Sequence, residues 1–100
     1  MDYKIKNNLV SIDGNDFSKA FENRQRIIVT IEDSMDTRKI ARKIKGASSL
    51  VISIQGKKSI TIEDCQHCVE SLAKHVKRNA DIIWGAQIGD RERLMVMAGW

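Results

Sequence analysis

The run Asn79-Ala80-Asp81-Ile82-Ile83-Trp84-Gly85-Ala86-Gln87-Ile88 constrains the fold more than any other stretch of this chain. It is apolar, too short for a buried helix, and rich in β-branched and aromatic residues. That predicts a strand, and a central one. A glycine inside a strand packs nothing and costs backbone entropy, so Gly85 predicts a close backbone approach or a bend. Gly89-Asp90-Arg91-Glu92 then supplies turn chemistry, and Arg93-Leu94-Met95-Val96-Met97-Ala98-Gly99 reads as a returning strand. Two strands joined by so short a turn are expected to pair as an antiparallel hairpin, with everything upstream packed against it.

Upstream, helical and extended patterns alternate. Leu9-Val10-Ser11-Ile12 is a short extended segment and Asp13-Gly14-Asn15-Asp16 is turn-forming. Phe17, Ala20 and Phe21 recur at the spacing of a short amphipathic helix, and the acidic residues before them suit its positive N-terminus. Arg26-Ile27-Ile28-Val29-Thr30-Ile31 is nearly continuous in apolar residues and predicts a strand buried on both faces or central in the sheet. Asp36 is positioned to cap a helix running to Lys45, with Ile40 and Ile44 inward and Gly46 at its C′ position. Leu50-Val51-Ile52-Ser53-Ile54 is the next strand, closed by a turn at Gln55-Gly56-Lys57-Lys58. Thr61 caps the longest helix, with Asp64 as an acidic capping-box partner and Ile60 and Cys65 as the hydrophobic staple. Its apolar stripe is Ile62, Cys65, Val69, Leu72, Ala73 and Val76. Strands separated by helices imply crossover connections and parallel pairing. The expected fold is α/β (α+β): a single-layer mixed four-stranded sheet packed with about three helices. The expected core is Phe17, Phe21, Ile28, Ile40, Ile44, Val51, Ile54, Cys65, Val69, Leu72, Val76, Ile83 and Val96.

One hundred residues bound the chain to one domain, 1–100, with 1–10 as a lead-in segment. It carries no apolar run long enough to span a membrane and no signal-peptide core after Met1, so the expected location is the cytoplasm and no membrane partner is expected. The formal net charge of +4 is compatible with nucleic acid or an acidic partner. No stacking aromatics accompany the lysines, as a single-strand platform needs, so a solvated surface is the plainer reading. The densest basic patch is Arg38, Lys39, Arg42, Lys43 and Lys45, and nearness to a helix C-terminus also favours cations there.

Cys65 and Cys68 fall in one predicted helix and read as free thiols, one in the core and one on its flank. Cys65-Gln66-His67-Cys68 with His75 invites a zinc reading, but Cys65 lies on the apolar stripe, His67 points the other way, and a third ligand is lacking. Neither metal nor cofactor is expected. The same burial argues against a thioredoxin-like use of the pair. The chain shows no serine–histidine–acid set and no phosphate-binding glycine loop, and it reads as a non-enzyme. Asp13 and Asp16 read locally as helix-capping carboxylates.

The segments together resemble the C-terminal domain of the tubulin/FtsZ superfamily, specifically the FtsZ cell-division GTPase. The residues carrying the resemblance are Ile44-Lys45-Gly46-Ala47-Ser48-Ser49-Leu50-Val51-Ile52-Ser53-Ile54-Gln55-Gly56, the capped helix, Ala80-Asp81-Ile82-Ile83-Trp84-Gly85-Ala86-Gln87-Ile88, and the ending Met97-Ala98-Gly99. At the front, Ser11-Ile12-Asp13-Gly14-Asn15-Asp16-Phe17 is similar to the family's synergy loop. Asp13 and Asp16 fall on its two acidic positions, and Ser11 stands where the family has asparagine. The segment before Gly46-Ala47 is shorter than in the family, and the GTPase domain is missing. Beginning at Met1 favours a stand-alone gene product over an excised domain.

The resemblance implies that this loop enters the nucleotide site of a neighbouring subunit, where Asp13 and Asp16 help place the attacking water. The expected function is a protein-binding module that engages an FtsZ-like GTPase or itself, caps or modulates its filaments, and hydrolyses no GTP alone. The expected partner-binding residues are Asp13, Asp16, Arg38, Arg42 and Lys45. The alternative is nucleic-acid or acidic-ligand binding through the basic helix 36–45.

Overall fold

A computed structural model describes Glu22 and residues 25–100. The expected helix at Phe17, Ala20 and Phe21 therefore lies outside the described residues, as do Asp13 and Asp16. The described elements are β1 (Ile27–Glu32), α1 (Arg38–Lys43), β2 (Ser49–Gly56), α2 (Ile62–Ala73), β3 (Asp81–Ile88) and β4 (Arg93–Gly99). The strands form one mixed sheet in the order β1-β4-β2-β3. β2 and β3 are parallel, joined by the α2 crossover, while β4 runs antiparallel to both β1 and β2. The expected mixed four-stranded sheet is present, with two helices among the described residues.

The expected hairpin is not. β4 lies on the far side of β2 from β3, so β3 is an edge strand and the connection after it steps over the end of β2. Gly89 N–H donates to the Gly56 carbonyl at 2.7 Å, and Gln55 Nε2 donates to the Arg91 carbonyl at 2.9 Å. These bonds tie the loop down as it crosses. Spanning two strand spacings takes about 10 Å, within reach of the intervening residues. The crossing also explains a glycine: a Cβ on Gly89 would lie 2.8 Å from Gln55 Cγ. At Gly85, by contrast, β3 pairs with β2 in unbroken register from Asp81 to Ile88, so the expected bend is not there.

β1 is the other edge. Its near-continuous apolar sequence predicted burial on both faces or a central position, yet Ile27, Val29 and Ile31 are 47%, 52% and 57% exposed. Cross-strand pairing explains why. Thr30, Val96, Ile52 and Trp84 form one row across the sheet, and Val29, Met97, Val51 and Ile83 form the next. Successive rows point to opposite faces. The first kind of row builds the core: Leu50, Ile52, Ile54, Trp84, Ala86, Leu94, Val96 and Ala98 pack with Ile40 and Ile44, and with Cys65, Cys68 and Leu72 of α2. Ile83 is therefore not a core residue of this face, and Trp84 is. Val51 is buried, but on the opposite face.

The helices differ in how they are capped. Thr61 Oγ1 accepts from Asp64 N–H at 3.1 Å and Asp64 Oδ2 accepts from Thr61 N–H at 3.0 Å, the expected capping box. α1 is shorter than expected. It begins after Thr37, whose side chain makes no cap bond, and Asp36 instead accepts from Arg38 N–H at 3.0 Å. α1 stops at Lys43, and Gly46 follows with φ +76°, the left-handed conformation that glycine adopts without steric cost.

Candidate functional site

Of the residues expected to bind a partner, Arg38, Arg42 and Lys45 lie on or just beyond α1, while Asp13 and Asp16 are outside the described residues. Arg38 grips Asp36 with Nε to Oδ1 at 3.1 Å and Nη2 to Oδ2 at 2.9 Å. That guanidinium, with the Arg38 amide, holds the Asp36 carboxyl down at about 2. Arg38 thus has its charge partly answered within its own loop. Arg42 and Lys45 have no ion pair among the described residues.

Tertiary structure brings further cations to them. Arg38, Arg42 and Lys45 line a groove of about 620 Å³ whose opposite wall is α2 and its continuation, with Ser71, Lys74 and His75. The ends of the two helices are stitched together there. Gly46 N–H donates to the His75 carbonyl at 2.9 Å, and Lys77 N–H donates to the Ala47 carbonyl at 2.9 Å. The Trp100 indole N–H donates to the Lys45 carbonyl at 3.1 Å. Helix C-termini favour nearby cations, which is the bland reading of this patch. Here, however, carbonyls after both helices are satisfied by backbone amides and an indole. Arg42, Lys45 and Lys74 remain exposed, and no carboxylate lines the groove. Lys74 and His75 were not legible as partners of the α1 cations, because they lie just past the end of a helix about 30 residues later whose docking angle no local pattern specifies.

Both thiols sit inside the core. Cys65 and Cys68 are both free and buried, Cys68 at 6% exposure, so the expected flanking thiol is in the core. Burial raises Cys65, and raises Cys68 to about 11 with help from Cys65 beside it, which keeps both protonated and poorly nucleophilic. His67 and His75 are exposed. Among the described residues no three His, Cys, Asp or Glu side chains cluster as metal ligands do. No helix among them is long and apolar enough to cross a membrane.

A mixed sheet with two helices on one face and a strand inserted antiparallel between parallel neighbours defines an α+β domain of a particular topology, and known proteins share it. The empty FtsZ dimer of M. jannaschii superposes with a TM-score of 0.78 at 21% identity, covering 95% of this chain and 33% of that one. The W319Y mutant of the same FtsZ gives 0.78 at 22% identity, covering 95% and 34%. At that identity these matches show the fold. The Cell division protein FtsZ of Methanothermobacter thermautotrophicus is 29% identical over 69 residues, which is 69% of this chain and 18% of that protein. The model of the FtsZ family, C-terminal domain, matches residues 19–98. This chain belongs to the FtsZ family through its C-terminal domain, and spans about a fifth of that relative's length and a third of the solved chains.

Proposed function

We propose that the chain is a protein-binding module that docks onto an FtsZ-like GTPase in the cytoplasm and modulates its filaments. The observation carrying this reading is the family match over residues 19–98, together with a sheet topology shared with solved FtsZ chains. The matched part is the C-terminal domain, and the chain's 100 residues hold no phosphate-binding glycine loop. Alone it therefore hydrolyses no GTP. Docked beneath an FtsZ subunit, its acidic loop brings Asp13 and Asp16 towards that subunit's nucleotide. It offers no nucleotide face for the next subunit, so it caps the filament end. Ser11, in place of asparagine, favours capping over stimulated turnover. Arg38, Arg42 and Lys45 form a second contact surface for acidic residues of the partner.

The test is polymerisation of the Methanothermobacter thermautotrophicus FtsZ with the unmodified chain and with Asp13→Ala/Asp16→Ala. Substoichiometric inhibition that weakens in the double variant is expected. Equal inhibition by both would leave the acidic pair as helix caps, and no effect from either would remove FtsZ as the partner.

The groove between α1 and α2 favours a second reading, an acidic ligand held by Arg42, Lys45 and Lys74. Its affinity for a polyglutamate peptide should fall steeply with salt, as phosphate binding also does. Arg42→Glu/Lys74→Glu should abolish it. Binding that survives both salt and the double change would sink this reading.

A further inference from the structure

The exposed edge of the sheet suggests an interaction of its own. β4 occupies the inner side of β1, and no described residue pairs with its outer side. Trp100 N–H donates to the Arg26 carbonyl at 3.0 Å, and the Gly99 carbonyl faces β2, accepting from Ser48 N–H at 2.8 Å. Backbone groups of successive strand residues point alternately to either side. Ile28, Thr30 and Glu32 therefore face β4, while Ile27, Val29 and Ile31 turn their N–H and C=O groups outward. The same three residues carry the exposed apolar side chains, all on the face away from the helices. Natural edge strands are usually blunted by lysine, proline or a bulge within the strand. Ile27-Ile28-Val29-Thr30-Ile31-Glu32 has neither proline nor lysine and pairs with β4 without a bulge.

The other edge is less suited to pairing. β3 presents Asp81, Gly85 and Gln87 with Ile83 on that face, a polar and glycine-interrupted row.

We propose that β1 is a self-pairing edge: two copies of this chain join antiparallel along β1, with the two-fold axis at Val29, to make one continuous sheet. This register is singled out by three features. It pairs only residues whose backbone groups face outward: Ile27 with Ile31 of the second copy, Val29 with its own counterpart, and Ile31 with Ile27. It sets those exposed side chains against one another on one face, where cross-strand β-branched pairs stabilise a sheet. On the other face it places Arg26 of each copy opposite Glu32 of the other. The charges are therefore self-complementary, as an isologous interface requires. Arg26 is free to take part while stacked on Trp100, its guanidinium 4.8 Å from the ring centre. The strand is short and the pairing is by one edge, so the dimer is weak and concentration-dependent.

The experiment is sedimentation velocity on the full chain over a wide concentration range, with circular dichroism confirming that each variant is folded. The unmodified chain should show a reversible monomer–dimer equilibrium, and Val29→Lys should remain monomeric throughout. Arg26→Glu and Glu32→Arg should each weaken self-association roughly tenfold, since two cross-strand pairs become repulsive. Mixing these two variants should restore association to the unmodified level, because every facing pair is then opposite in charge. A structural role for Arg26 or Glu32 within one copy cannot produce that rescue. A monomer at all concentrations would overturn the proposal. So would a dimer indifferent to Val29→Lys, or a mixture no tighter than its components.

Discussion

The two faces of the sheet come from the same four strands and meet opposite fates. On the helix-covered face, Leu50, Ile52, Ile54, Leu94 and Ala98 are fully buried beneath Ile40, Ile44, Cys65 and Leu72. On the other face burial decays towards β1: Val51 is buried, Met97 and Ile83 are half-buried, and Val29 lies open. β-branched residues stand on both, but Ser53, Gln55, Asp81, Gln87 and Arg93 make the second face the more polar. The partner layer differs too: among the described residues, the two amphipathic helices cover the first face only. Apolar sequence therefore reports capacity for burial: among the described residues most buried side chains lie on the helix-covered face, while on the other the β1 end is left open for contacts between molecules.

The largest test of that contrast is Leu72→Ala. A fully buried leucine truncated in a close-packed layer should cost about 2–5 kcal/mol in urea unfolding. A loss under roughly 0.5 kcal/mol would mean that the helix layer does not hold the sheet. The thiols sharpen the same point through pH. The fold holds Cys68 in its protonated form, so its contribution is complete below pH 9 and drains away as pH rises towards 11. Unfolding midpoints should fall across that window, and Cys68→Ala should flatten the fall. An unchanged slope would place the thiol in water.

Smaller effects test how the covering layer is anchored and how little the open face contributes. Thr61→Ala removes the side-chain acceptor of the α2 capping box and should cost about 1 kcal/mol. The matching change at Thr37 should cost less, since that residue makes no side-chain cap bond. Ile31→Thr keeps the β-branch on the open face and should shift the stability of the isolated chain by less than about 0.5 kcal/mol. A cost near that of Leu72→Ala would show that the open face is covered after all.

The domain's family and the existence of each described element were legible because their signals are local. The capping box at Thr61 and Asp64 involves residues three apart, the α2 stripe recurs at helical spacing, and Gly46 needs only its own dihedral angle. Arg38, Arg42 and Lys45 were legible as a basic patch for the same reason. Their groove was not, because its far wall comes from Ser71 of another helix and from Lys74 and His75 just past its end. Strand order was not legible either. A four-residue connection such as Gly89-Asp90-Arg91-Glu92 serves equally well for a hairpin and for a step over a neighbouring strand, and the bond from Gly89 to Gly56 that distinguishes them is tertiary. The sequence by itself determined which segments are strands and helices, since backbone propensity and side-chain period act within a few residues. Only the tertiary structure decided which strand lies at the edge and which face is covered. Those outcomes depend on where the helices and the last strand come to rest, and a strand's own residues look the same either way.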